Sequence, residues 1–154
     1  MASQTLRSVK IHPDHAYVVA KTSNTANVRS GGLVIEAPNN VFLVLDQFFA
    51  PVVKLFTSAP AALSASTRVF IGKKRKGDDT PTFLPGVFTL HDFSDLTTAQ
   101  QRDRDNRDTL VQDLGRGMVL REGEQMIIEF DGPDVIDWTQ AGTAFEFNLG
   151  WSAV

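Results

Sequence analysis

The sequence predicts an all-β fold, an antiparallel sandwich or barrel, on three observations. The C-terminal stretch alternates: Thr143, Phe145, Phe147, Leu149 and Trp151 are interleaved with Ala144, Glu146, Asn148 and Gly150. A period of two over nine residues gives a strand with one oily face. Second, several other short segments are rich in Val, Ile, Phe and Thr and are separated by turn chemistry. Third, the regular helical crossovers that a parallel α/β sheet requires are missing.

In chain order, strands are expected over 6–11, 16–21, 33–36, 67–72 and 83–90. The breaks between them are His12-Pro13-Asp14, Ser30-Gly31-Gly32, Pro38-Asn39-Asn40 and Lys76-Gly77-Asp78-Asp79. Pro fixes φ, Gly supplies positive φ, and Asn and Asp bond their own backbone, so each cluster reads as a turn. The run 41–56 begins as a buried strand at Val41-Phe42-Leu43-Val44-Leu45, and Pro51 makes the remainder irregular. The small-residue stretch 57–66 reads as a surface loop. Met126, Ile128 and Phe130 alternate with Gln125, Ile127 and Glu129. A turn, Arg121-Glu122-Gly123-Glu124, precedes that strand, and Asp131-Gly132-Pro133 ends it. One short surface helix is expected around 98–114. Thr97-Thr98-Ala99-Gln100 matches a capping box and Gly115 stands at the C-terminal cap position. Its centre, 101–108, is wholly polar, so it lies on the surface or bridges to a neighbour.

A length of 154 residues predicts one domain, 1–154. At 42% hydrophobic and 21% charged the chain is able to bury a core, which argues against wholesale disorder. Net charge is −3, which gives no reason to expect a general nucleic-acid binder. Cysteine is absent, removing disulfides, thiolate metal sites and Cys nucleophiles together. The start, Met1-Ala2-Ser3-Gln4-Thr5, has no apolar region behind it, so no signal peptide is expected. No apolar run reaches the length of a transmembrane helix.

The search for reactive chemistry finds no catalytic or metal constellation and no cofactor motif. His12 and His15 flank Pro13-Asp14, where a solvated turn is the plainer reading than a zinc site. His91-Asp92 comes without a nucleophile elbow. Asp103, Asp105 and Asp108 fail the calcium-loop pattern, because Arg107 stands where an oxygen ligand is needed. Interleaved with Arg102, Arg104 and Arg107, they form either a solvated salt-bridged face or a rim that meets a complementary one. These six residues are the candidate interface. The basic run Lys73, Lys74, Arg75 and Lys76 is the sharpest charge feature. It can neutralise phosphates, which makes it a candidate weak nucleic-acid or partner contact, although Asp78 and Asp79 dilute its field and no aromatic platform accompanies it. Eleven Phe against one Tyr and two Trp belong to a core or a dry interface rather than to sugar platforms.

Two segments carry a family resemblance: Val119-Leu120-Arg121-Glu122-Gly123-Glu124-Gln125-Met126-Ile127-Ile128-Glu129-Phe130, and Phe145-Glu146-Phe147-Asn148-Leu149-Gly150-Trp151. As a turn leading into a strand and as a closing strand, they resemble bacteriophage virion proteins of β-sandwich or jelly-roll type. The resemblance implies a capsid or capsid-decorating subunit, located in the virion. Such a subunit has no enzymatic activity and no cofactor, and its partners are copies of itself and other virion proteins. A carbohydrate- or receptor-binding sandwich is the alternative, and predicts exposed aromatics in a groove. An enzyme of cupin-like shape is the third reading, and predicts metal near His12, His15 or His91.

Overall fold

A computed structural model describes residues 7–45, 52–64, 66–83, 88–90 and 119–153. The described residues form two antiparallel sheets stacked as a β-sandwich. The strands are β1 (Arg7–Ile11), β2 (Val18–Thr22), β3 (Ser30–Glu36), β4 (Val41–Leu45), β5 (Val52–Lys54), β6 (Arg68–Lys74), β7 (Thr82–Phe83), β8 (Phe88–Thr89), β9 (Val119–Leu120), β10 (Gln125–Asp131) and β11 (Ala144–Ala153). One sheet runs β1-β11-β4-β9, with β5 also paired to β11. The other runs β2-β3-β10-β6-β7, with β8 also paired to β6. The helix expected around 98–114 and the Arg102–Asp108 rim lie outside the described residues, as does His91.

The expected alternation builds the core. Along β10, Met126, Ile128 and Phe130 are buried while Gln125, Ile127, Glu129 and Asp131 are half-exposed. Phe145 and Leu149 of β11 face them from the opposite sheet, together with Ile11 and Leu43. Phe130 meets Phe145 edge-to-face at 6.0 Å between ring centres, and Trp138 at 6.2 Å. The two fully buried rings, Phe130 and Phe145, each contribute about 2–3 kcal/mol through burial, and the ring pairing about 1 kcal/mol more.

One expected turn is corrected. Ser30-Gly31-Gly32 is the beginning of β3, not a break. Between Ile128↔Leu33 and Phe130↔Ser30, β10 advances two residues and β3 three. The glycines absorb the extra residue as a bulge. Gly32 has φ +103°, and a Cβ there would lie 1.7 Å from the Ile128 carbonyl oxygen. In sequence such small, flexible residues look like a turn, because this bulge and a turn both need positive φ. A second irregularity, between Val18 and Ala20, falls on the edge strand β2 and leaves Val19 52% exposed. A bulged edge discourages uncontrolled strand pairing.

The other breaks are turns as expected. His15 N donates to His12 O at 2.8 Å, Val41 N to Pro38 O at 3.2 Å, Asp78 N to Arg75 O at 3.1 Å, and Glu124 N to Arg121 O at 2.9 Å. The run 41–56 begins as strand β4, and β5 is a three-residue strand after Pro51.

Candidate functional site

Three turns share one end of the sandwich: residues 37–40, 75–81 and 121–124. Antiparallel register puts them there, because Gln125 pairs with both Glu36 and Lys74. Backbone bonds join two of them: Ala37 N donates to Glu124 O at 3.1 Å, and Gly123 N to Ala37 O at 2.9 Å. Asn40 N donates to Glu122 Oε2 at 3.1 Å.

The basic run is divided by this geometry. Lys73 is the last inward-register residue of β6, and its ammonium donates to Val119 O at 2.6 Å and lies 3.3 Å from the Glu124 carboxylate. It is a brace between β6, β9 and the β9–β10 turn. Lys74 is half-exposed at the strand end, and Arg75 and Lys76 are exposed on the turn. Among the described residues, none of these three has an ion-pair partner. Asp78 is occupied locally, since its Oδ2 accepts the Arg75 backbone N–H at 3.1 Å. A shallow open depression of about 210 Å³ separates the β6–β7 turn from Gly123 and Gln125. The arrangement places three cations, Lys74, Arg75 and Lys76, together at the surface of this end.

The opposite end is tied differently. Asn24, 4% exposed, donates to Asp134 O at 2.8 Å and accepts from Ile136 N at 2.9 Å. Ser23 Oγ donates to Ile136 O at 2.6 Å, and Trp138 Nε1 to Thr22 O at 2.9 Å. Asp137 accepts from Thr139 N at 2.9 Å and from Ser58 Oγ at 2.9 Å. The Thr139 hydroxyl and backbone N–H, then Ser58, hold the Asp137 carboxyl below the usual carboxylate range.

A third feature was not legible in the sequence. Arg29 lies across the outer face of the six-stranded sheet, its guanidinium 4.0 Å from the Phe70 ring centre and 3.9 Å from that of Phe83. Its Nε is 3.5 Å from Glu129. Arg68 pairs with Asp131 on the same face. Nothing in the spacing of Arg29, Phe70 and Phe83 signals this stack; strand register alone brings them together.

His12 and His15 do come together, with ring centres 5.7 Å apart. Yet each Nδ1 accepts a backbone N–H, from Asp14 and Tyr17 respectively, at 3.3 Å and 3.0 Å. Among the described residues no group of three or more His, Asp or Glu could hold a metal ion. Nor do the large polar aromatics form a platform: Tyr17, Trp138 and Trp151 are partly buried and pack against the core. Among the described residues no helix is long and apolar enough to cross a membrane.

The described residues form a two-layer β-frame with charged turns at its surface. The family model described as Major capsid protein VP16-like matches residues 28–152, the greater part of the chain, and the chain belongs to that family. It is therefore a viral capsid protein, a structural component located in the virion. No curated protein matches it.

Proposed function

We propose that the chain is a shell-building subunit of a bacteriophage capsid, a single jelly-roll domain over 1–154 that tiles with copies of itself and with other virion proteins. Membership of the capsid family over residues 28–152 is the observation that carries the reading. The strand pairing supports the jelly-roll form. Pairs nest from the outside of the chain inward: β1 with β11, β3 with β10, β4 with β9, and β6 with β8. A long hairpin rolled into two sheets produces that nesting, and viral shell domains use it to bury two sheet faces in one core. The chain performs no catalysis in this role.

The contacts proposed for assembly are charged. Arg102, Asp103, Arg104, Asp105, Arg107 and Asp108 interleave both charge signs in the sequence, which a complementary or identical stretch of a neighbour can pair with. Repeated copies in a closed shell require such self-complementary patches. Lys74, Arg75 and Lys76 contact a phosphate-bearing or acidic partner, with Lys73 bracing their turn from behind.

Light scattering and particle imaging of the purified full chain test the proposal. Trimers, hexamers or larger bodies are expected, and a strictly monomeric species at high concentration overturns it. Replacing Lys74, Arg75 and Lys76 by Ala is expected to weaken DNA binding and to flatten its salt dependence. An unchanged salt slope leaves the turn as a plain hairpin tip.

A further inference from the structure

We infer that the β1–β2 turn, residues 12–17, is a proton-operated latch in which His15 holds the start of edge strand β2 while neutral and lets go when protonated. The observation is where the imidazole lone pairs point. His15 Nδ1 accepts the Tyr17 backbone N–H at 3.0 Å, and His12 Nδ1 accepts that of Asp14 at 3.3 Å. A nitrogen that accepts carries no proton, so in this arrangement the His15 ring is neutral with hydrogen on Nε2. A proton added at His15 Nδ1 would face the Tyr17 N–H donor to donor, and the bond must break. The two rings also stand edge-to-face at 5.7 Å, so two cationic imidazoles would repel each other.

The latch is connected to the sheet. Tyr17 N is held by His15, while Tyr17 O accepts Glu36 N at 2.9 Å, the bond that sets the turn against the end of β3. Val18 N donates to His15 O at 2.9 Å, and the His15 and Tyr17 rings meet at 4.7 Å. Releasing Tyr17 therefore loosens the first residues of β2, which among the described residues pairs in the sheet with β3 alone.

The charged groups around the turn do not supply a rival trigger. Asp14 pairs with Lys21 of β2 at 2.8 Å, and that lysine keeps the Asp14 carboxyl below the usual range. On β3 the Glu36 carboxylate accepts Gln125 Nε2 at 2.8 Å, and on β1 Lys10 pairs with Glu146 of β11 at 2.7 Å. Tyr17 completes the set. Histidine alone among these side-chain types ordinarily changes charge between about pH 5 and 8. Burial, and then the neighbouring His12, lower the His15 pKa. A lowered folded-state pKa means the closed form binds its proton less readily than the open chain. The closed turn is therefore favoured above about pH 6.5, the ordinary imidazole value. It loses ground as pH falls from there through the folded pKa.

Amide exchange by NMR on the full chain, at about pH 7.5 and about pH 5 and corrected for intrinsic rates, tests this across the histidine range. Tyr17 protection should fall at the lower pH, the loss setting in below the open-state pKa and levelling off below the folded one. In His15→Asn the side-chain oxygen accepts the same N–H but cannot titrate, so protection should stay level. Equal Tyr17 protection at both pH values in the unaltered chain overturns the latch, as does a full acid loss in His15→Asn. Should that variant not fold, the ring nitrogen shifts of the unaltered chain decide: an Nδ1–H tautomer of His15 at neutral pH overturns the proposal.

Discussion

The two ends of the sandwich are held by different physics. At the end formed by residues 23–29, 57–67 and 132–143, loops distant in sequence are bolted by polar side chains reaching buried backbone, with Asn24 at the centre. At the other end, backbone bonds tie the 37–40 turn to 121–124, Asp78 on Arg75 and Glu124 on Arg121 close their turns locally, and the charges of Arg75 and Lys76 stand in water. A buried polar group is expensive to orphan, whereas an exposed charge is nearly free to change. Substitution at the bolted end is therefore expected to cost more than substitution of the exposed charges at the turn end.

The widest expected contrast is between two glycines. Gly32→Ala places a methyl against the Ile128 carbonyl and demands φ +103° of a residue that resists it. A loss on the order of 3 kcal/mol or more, or failure to fold, is expected in urea denaturation. Gly77→Ala, at φ +93° with nothing within 4 Å, meets backbone strain alone, and about 1 kcal/mol should be lost. Equal losses at the two positions would mean that the β3–β10 contact is looser than drawn.

Next comes Asn24→Ala, which strands the Ile136 N–H and the Asp134 carbonyl. About 2–3 kcal/mol should go, and exchange protection at Ile136 should fall with it. A variant as stable as the parent would remove the distinction between the two ends.

Within the basic run, Lys73→Ala and Lys76→Ala should separate. Lys73 loses its bond to Val119 O and leaves Glu124 uncompensated, a loss of about 1 kcal/mol in thermal melts. Lys76→Ala should stay within about 0.5 kcal/mol of the parent. The smallest effect concerns acid. Because the Asp137 carboxyl is held low by Thr139 and then Ser58, its contribution is present above about pH 4, the ordinary carboxylate value, and is lost as pH falls through its lowered pKa. Thr139→Ala should raise the Asp137 pKa in a carboxyl NMR titration; an unmoved value would assign the shift to Ser58.

Strand β10 was legible because it has one wet and one dry face, and alternation records that difference directly; β11 alternates in sequence as well, yet Gly150 and Ser152 on its other face are also buried. Glycine at 31–32 was ambiguous, since turn and bulge ask the same φ of it, and only the partner strand distinguishes them. Lys73 stood in the sequence as one of four equal cations, and Asn24 as one polar residue in a polar stretch. Their separate roles depend on Glu124, Asp134 and Ile136, which no local pattern ties to them.

Periodicity and turn chemistry are local properties, so the chain by itself determined that this protein is all-β, where most of its strands lie, and which face of β10 is buried. Tertiary structure decided the nested pairing, the bulge at Gly32, the division of labour among Lys73 to Lys76 and the stacking of Arg29 on two rings. Each of those rests on contacts between residues far apart in the chain, and their geometry exists only once the two sheets have closed on a common core.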